Sequence, residues 1–366
     1  MKLVLVHDYL SQMGGAEKVA LEFCNIFPDS PLFTSIYNPD SVAEEFKKID
    51  IRTTYLQKFP LIFKYFRFYF PFYPRAMESI NLKDYDVILS SSSAYAKGIR
   101  KPGKACHICY CHNPARFLYQ YDAYFEREKI NPIIKKLLPL LLSNLKKWDQ
   151  ENSKQVDYFI ANSQVVADRI KKIYNRESTI INPPVDTSFF VPQAKDGDYF
   201  LIVSRLNSYK KINIAIEACN ELKLPLIIIG DGPDKINLEK IAGPTIKFAG
   251  QVSNEKLRDY YAACRALIFP GEEDFGIVPL EAMSCGKPVL AFKNGGALET
   301  VIGCMTGMFF EDQSKDSLMG VLSDFQHLEF DKELIREHAK KFDISIFREK
   351  IRTFVEGKYE EYNTIN

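Results

Sequence analysis

The sequence predicts an α/β protein of two doubly wound parallel-sheet domains, on three observations. Short apolar, β-rich runs alternate with helical patterns from end to end, which is the mark of βαβ units. The series of runs stops and restarts around a pair of prolines in mid-chain. And 366 residues exceed what one hydrophobic core ordinarily supports.

In the first half, strands are expected at Leu3 to His7, Leu32 to Tyr37, Asp86 to Ser91, Ala105 to Cys111 and Tyr158 to Asn162. A second series comprises Tyr199 to Arg205, Pro225 to Gly230, Ile246 to Ala249, Ala266 to Pro270, Pro288 to Phe292 and Met308 to Glu311. Between them lies Ile180-Ile181-Asn182-Pro183-Pro184-Val185-Asp186, where two prolines fix φ and stop a helix. The domains are therefore placed at 1–178 and 179–342. Halves of this kind bind ligands outside the carboxyl ends of their strands, so a cleft faced by both is where chemistry is expected.

A composition 46% hydrophobic and 26% charged is that of a globular chain without a disordered tract. The 48 basic and 47 acidic side chains nearly cancel, which removes any global electrostatic reason for a nucleic-acid partner. The apolar run of Met1-Lys2-Leu3-Val4-Leu5-Val6-His7-Asp8 is too short for a signal peptide. No stretch reaches the 18 apolar residues of a spanning helix, so the expected location is the cytoplasm, or the cytoplasmic face of an inner membrane. Eight scattered cysteines read as reduced core thiols. Cys106, Cys109, Cys111 and His112 hold the residue types of a zinc site, but no second ligand pair stands at a matching spacing. Their alternation suits a strand with His112 at its end.

Two segments break the pattern. From Lys58 to Arg75, aromatic side chains interleave with single cations; from Ile130 to Trp148, Leu/Ile runs alternate with Lys135, Lys136, Lys146 and Lys147. Such mixtures suit a membrane interface, where rings sit at headgroup depth and cations meet anionic lipid. A helical excursion packed on the first domain has the same pattern, and both readings stay open. A single-stranded nucleic-acid platform has no accompanying motif.

Three constellations carry chemistry. Gly14-Gly15-Ala16-Glu17 follows the first strand and opens a helix through Val19, Ala20, Phe23 and Cys24; glycines there admit a phosphate to the amides of a helix start, although a plain tight turn explains the pair equally well. Arg205 closes a strand and Lys210-Lys211 opens a helix, so cations bracketing one loop can converge on a diphosphate. In Glu273-Asp274-Phe275-Gly276-Ile277-Val278-Pro279-Leu280-Glu281, Glu273 precedes the helix that begins at Gly276. Glu273 can accept from sugar hydroxyls, the amides of Phe275, Gly276, Ile277 and Val278 can reach sugar or phosphate, and Glu281 can hold a ribose diol. The bland alternative makes Glu273 a capping acid and Glu281 a surface charge; the apolar neighbours of Glu281 weigh against it.

The spacing Glu273-x7-Glu281, followed by Ala-Met-Ser-Cys-Gly-Lys-Pro-Val, resembles the signature of glycosyltransferase family 4. Gly14-Gly15-Ala16-Glu17, Tyr110-Cys111-His112-Asn113-Pro114, Ala161-Asn162-Ser163, Asn182-Pro183-Pro184-Val185-Asp186, Ser204-Arg205-Leu206, Gly230-Asp231-Gly232-Pro233 and Gly295-Gly296-Ala297-Leu298-Glu299 lie in the family's order. The resemblance implies the GT-B fold, two Rossmann-like domains facing a cleft, with residues 343–366 returning to the first. It implies catalysis without a metal or other cofactor and retention of anomeric configuration. Catalytic roles fall to His112, Glu273, Arg205 and Lys210. Arg205 and Lys210 neutralise the diphosphate, with Lys211 as substitute. Glu273 and the amides of Phe275 to Val278 orient the sugar, Glu281 holds the ribose, Gly14 and Gly15 let a loop close over phosphates, and His112 positions a sugar hydroxyl. The chain looks most like the bacterial mannosyltransferase branch of O-antigen and exopolysaccharide assembly, which implies GDP-mannose as donor and a lipid-linked or growing oligosaccharide as acceptor. The alternatives are a UDP-sugar donor, an epimerase or phosphorylase on the same fold, and a non-catalytic nucleotide-sugar-binding or scaffold protein.

Overall fold

A computed structural model describes residues 1–119, 132–193 and 197–365, with side chains absent from the description at 132–138. The chain forms two compact units, Met1–Pro183 with Arg348–Asn366, and Pro184–Phe347.

The first unit is built on a seven-stranded sheet of β1 (Leu3–His7), β2 (Leu32–Thr34), β3 (Ile51–Thr53), β4 (Val87–Ser92), β5 (Cys106–Cys111), β6 (Tyr158–Ala161) and β7 (Ser178–Ile180), in the order β3-β2-β1-β4-β5-β6-β7. Every pairing is parallel. All residues of β1, β4 and β5 are buried, as expected of central strands covered on both faces. The helix Gly15–Ile26 turns Val19, Ala20, Phe23 and Cys24 inward, the apolar face read from the sequence. The Cys106–Cys111 alternation is indeed strand, and burial pushes the Cys106 and Cys109 thiols up to about 12.

The second unit holds six parallel strands, β8 (Phe200–Val203), β9 (Leu226–Ile229), β10 (Ile246–Gly250), β11 (Ala266–Phe269), β12 (Val289–Phe292) and β13 (Gly307–Phe310), ordered β10-β9-β8-β11-β12-β13. Two apolar layers cover it, one around Tyr261, Leu280 and Met283, the other around Ile216, Leu238 and Leu322.

Three features differ from the sequence reading. The first is that β3 and β7 were not expected; each is a three-residue edge strand with two exposed residues, too short and too polar to show a hydrophobic run. Next, the strand expected to reach Tyr37 ends at Thr34, because Asp8 carbonyl oxygen takes the Ser35 amide (3.2 Å) and the chain then pairs with Leu10 through Ile36 and Asn38. The last is that the units divide at Pro183/Pro184 and Phe347/Arg348 rather than after 178 and 342. Residues 181 and 182 belong to the first unit because Ile181 N–H donates to Ala161 O and Asn182 Nδ2 to Asn162 O. Residues 343 and 344 belong to the second because Ile344 N–H donates to Val185 O and Asp343 accepts from Thr187. The final helix, Ile344–Ile365, runs through the second boundary; from Arg348 on it packs on the first unit, where Arg348 Nε meets Glu22 Oε2 at 2.6 Å.

The aromatic and cationic segment 58–75 is a run of short helical turns: Ile62, Tyr73 and Pro74 face the core, whereas Leu61 (68% exposed), Phe63, Tyr65, Phe68 (73%) and Phe72 face outward. The segment 130–148 lies in the helix Pro132–Ser153 from residue 132; residues 130 and 131 fall outside the described residues. Among the described residues no helix is long and apolar enough to cross a membrane.

Candidate active site

In the second unit the strand order reverses between β8 and β11: the chain builds outward from β8 through β9 to β10, then returns to β11 on β8's other side. The carboxyl ends of two such strands splay their loops apart and leave a crevice for ligand. Arg205 and Lys210 lie in the loop after β8, Glu273 in the loop after β11. Lys210 Nζ and Glu273 Oε1 are ion-paired, with 11% and 28% of the side chains exposed. Arg205 is exposed. Lys211 takes a left-handed backbone (φ 54°) at the start of the helix Ile212–Glu221, so Lys210, not its neighbour, bonds to the β11 loop.

Close backbone packing fixes both loops. A Cβ at Gly230, itself at φ 129°, would lie 1.9 Å from Ser204 O, and Leu206 N–H donates to Asp231 O (3.0 Å). The β9 loop thereby braces the residues on either side of Arg205. A Cβ at Gly296 would lie 2.2 Å from Phe275 Cα, and Gly296 N–H donates to Glu273 O (2.8 Å). The Gly295-Gly296 pair thus seats the loop that carries Glu273.

The helix Ile277–Ser284 starts at Gly276 (φ 97°) with no side-chain cap, so Glu273 is not its capping acid. The first-turn amides of a helix have no partner within it, and here Pro279 has none to offer, which leaves Ile277 and Val278 as the outermost donors. Phe275 contributes backbone only, since its ring is 3% exposed and packs on Phe342 at 5.8 Å. Glu281 is 3% exposed and accepts from Tyr261 Oη at 2.8 Å. It is a buried, hydrogen-bonded carboxylate and not a surface charge.

The first unit has its own reversal point, between β1 and β4, and it is filled from within. The Asp8 carboxylate, 2% exposed, accepts from the amides of Ser93, Ala94, Tyr95 and Ala96 at 2.6, 2.9, 2.8 and 2.6 Å. Four amides that could have held a ligand anion hold an internal one. Gly14 precedes the helix Gly15–Ile26, and a Cβ at Gly14 would lie 2.9 Å from Glu17 Oε2. His112 follows β5: its amide bonds to Ser92 O, its carbonyl takes Asn162 Nδ2, and its Nε2 lies 2.8 Å from Ser91 Oγ. Nothing in the sequence tied Asp8 to the segment 93–96 or His7 to Ser91, because the partners lie more than 80 residues apart.

Comparison with known proteins agrees with this architecture. Residues 13–189 match Glycosyltransferase Family 4, and residues 185–342 match Glycosyl transferases group 1. The human alpha-1,3/1,6-mannosyltransferase ALG2 is 26% identical over 244 residues, 56% of this chain and 55% of that one. A GDP-mannose-dependent alpha-mannosyltransferase of Mycolicibacterium smegmatis is 34% identical over 140 residues, 35% of this chain and 37% of that one. The chain thus spans about half, or less, of these relatives' length. The structure of Anabaena HepE with UDP-glucose superposes at a TM-score of 0.72 with 18% identity, covering 97% of this chain and 99% of that one. The two Rossmann-like parallel sheets are those of the GT-B fold. Within that fold, the first half of the chain is similar to Glycosyltransferase Family 4 and the second to Glycosyl transferases group 1.

Proposed function

We propose that the protein is a retaining, metal-independent glycosyltransferase that moves mannose from GDP-mannose to a hydroxyl of a lipid-linked or growing oligosaccharide in cell-surface polysaccharide synthesis. The observation that carries the reading is the placement of Arg205, Lys210 and Glu273 on the two loops that flank the reversal point of the second sheet. Arg205 and Lys210 neutralise the charge that builds on the leaving diphosphate, and the Ile277 and Val278 amides with their helix dipole add to that field. Glu273 orients the sugar, Glu281 holds the ribose and His112 positions a sugar hydroxyl. The acceptor hydroxyl attacks the face that the diphosphate leaves, and the departing phosphate oxygen takes its proton. Catalysis is positioning plus charge neutralisation. The mannose assignment is supported by the mannosyltransferases among the relatives.

The reading extends to the cytoplasmic face of the inner membrane, through segments 58–75 and 130–148. Its support is that the two segments meet: a surface hollow of about 290 Å³ joins Pro71, Pro74 and Arg75 to Leu141, Leu145 and Trp148. In the two segments Leu61, Phe68, Leu140 and Leu141 stand exposed, as do Lys58, Lys64, Arg67 and Arg75, the mixture an anionic interface attracts.

A binding panel tests the donor. Melting temperature is measured with GDP, GDP-mannose, UDP and UDP sugars, with chelator present, since a ligand of the folded state raises apparent stability. Selective stabilisation by GDP and GDP-mannose is the expected result. Preference for UDP compounds replaces the donor, and no shift with any nucleotide overturns the enzyme reading in favour of a scaffold.

A further inference from the structure

The turns that lead into the strands of the first sheet enclose a hollow of their own. The loop before β4 and the turn before β5 make two of its walls, and the far end of the helix Ile344–Ile365 makes the third. Its volume is about 390 Å³, and Lys83, Tyr85, Asp86, Lys104, Tyr359 and Asn363 line it. That volume lies within the range of small-molecule sites, about 300–1,000 Å³. Reacting ligands of doubly wound sheets sit outside the carboxyl ends of the strands. This hollow lies at the amino ends, the length of the six-residue β4 away, or about 20 Å.

Bonds behind the lining hold its walls. Lys2 N–H donates to Asp86 Oδ2 (2.7 Å) and Asp86 N–H to Lys2 O (2.8 Å), while Ala105 N–H closes the second turn on Pro102 O (2.9 Å). Lys101 Nζ ties the helix down, donating to both Asp157 carboxylate oxygens at 2.8 Å and to Tyr362 Oη at 3.2 Å. Phe33 meets the Tyr85 ring edge-on at 6.5 Å. The lining itself is uncommitted. Among the described residues, the side chains of Lys83, Lys104 and Asn363 make no hydrogen bond or ion pair, and neither does the Tyr359 hydroxyl.

Aromatic rings beside an amide, a carboxylate and ammonium groups are the means of holding a sugar: its C–H face covers a ring, and the polar groups take its hydroxyls. Charge narrows the class. Lys83 and Lys104 line the hollow and Lys2 Nζ stands 5.3 Å from the Tyr85 ring, against the one Asp86 carboxylate, and such an excess of cations attracts an acidic ligand. We propose that the hollow is a second saccharide site, separate from the place of transfer, that takes an acidic oligosaccharide, with a sugar ring on Tyr359 and its carboxylate or phosphate on Lys83 and Lys104. The choice of a saccharide over a nucleotide rests on the function proposed above.

The test is saturation-transfer NMR on the whole protein with tetramannuronate as probe and neutral mannotetraose beside it. Tetramannuronate is expected to bind, mannotetraose more weakly, and neither GDP nor inorganic phosphate at equal concentration is expected to displace the acid. Tyr359→Ala, and separately Lys83→Glu with Lys104→Glu, should each weaken binding about tenfold while the melting temperature stays unchanged. Should Tyr359→Ala disturb folding, the two exposed lysines carry the test alone. Binding that survives the lysine substitutions, displacement by GDP, displacement by phosphate, or equal binding of mannotetraose each overturns the proposal. The two readings fail separately. No response to any nucleotide, with tetramannuronate still lost on substitution of the lysines, ends the transferase reading and leaves the site; an intact nucleotide response with no tetramannuronate bound ends the site alone.

Discussion

Lys210 Nζ and Glu273 Oε1 are ion-paired, which joins the loops that leave β8 and β11 where the second sheet reverses. The pair is partly exposed, so its worth to folding is small, at about 0–1 kcal/mol. In the function proposed above, Lys210 serves the donor diphosphate. Lys210→Ala is expected to lower donor turnover by about 10²- to 10³-fold while the denaturant midpoint stays nearly fixed. Steady-state kinetics and urea unfolding on the same preparation check both halves; unchanged turnover would remove Lys210 from the site.

Arg205 extends from a loop braced on both sides by the β9 turn, which fixes its backbone. Arg205→Ala is expected to cost about 10²- to 10³-fold in turnover. Arg205→Lys keeps the charge and loses the two-pronged geometry, and should fall between. Equal rates for the Lys and Ala variants would mean that shape, not charge, is what the site uses.

The Asp8 carboxylate answers four amides at once. Asp8→Ala leaves these donors without an acceptor in a site closed to water, and hydrogen bonds to a charged group contribute about 1.5–3 kcal/mol each. Unfolding of the variant should show a loss of at least about 3 kcal/mol. A loss below 1 kcal/mol would mean that the segment 93–96 finds other partners.

Much of this frame was legible in advance, and what was not has a physical reason. The central strands announce themselves because burial on both faces demands unbroken apolar runs. The edge strands β3 and β7 do not, since Arg52 and Thr179 face solvent. Arg205 and Lys210 stood out as cations bracketing one loop at a strand end, and Glu273 by its spacing from Glu281. The contacts of Asp8 and His7 with the chain around Ser91 could not be read, because they depend on a register between strands far apart in the chain.

His107 lies fully buried in β5 with Nε2 2.8 Å from Ser90 Oγ, and burial brings its pKa from 6.5 to about 3. As pH falls below 6.5 the unfolded chain takes up a proton that the folded chain refuses until about pH 3, so stability is lost across that window as acid is added. The shifts of His7 and His338 act in the same direction. Unfolding free energies measured from pH 7 down to pH 4 should fall steadily, and His107→Gln should make the slope shallower. A slope that His107→Gln leaves unaltered would assign the acid sensitivity elsewhere.

Leu61 and Phe68 are the most exposed large apolar side chains of segment 58–75. Co-sedimentation with vesicles rich in anionic lipid is expected to capture the protein at low salt and to fail with neutral vesicles. Leu61→Glu with Phe68→Glu should abolish capture without lowering the melting temperature. Capture that survives both substitutions would move the membrane contact to another face.

The last helix gives the first unit a debt to the end of the chain. Arg348 and Arg352 bond to Glu22 and Ile26 O, and Tyr362 accepts from Lys101, so the unit that begins at residue 1 is finished only by residues 348–365. During synthesis the intervening Pro184–Phe347 unit is complete, and free to fold, while its predecessor still lacks a part. The first unit therefore cannot hold its full set of contacts until residues 348–365 have been made.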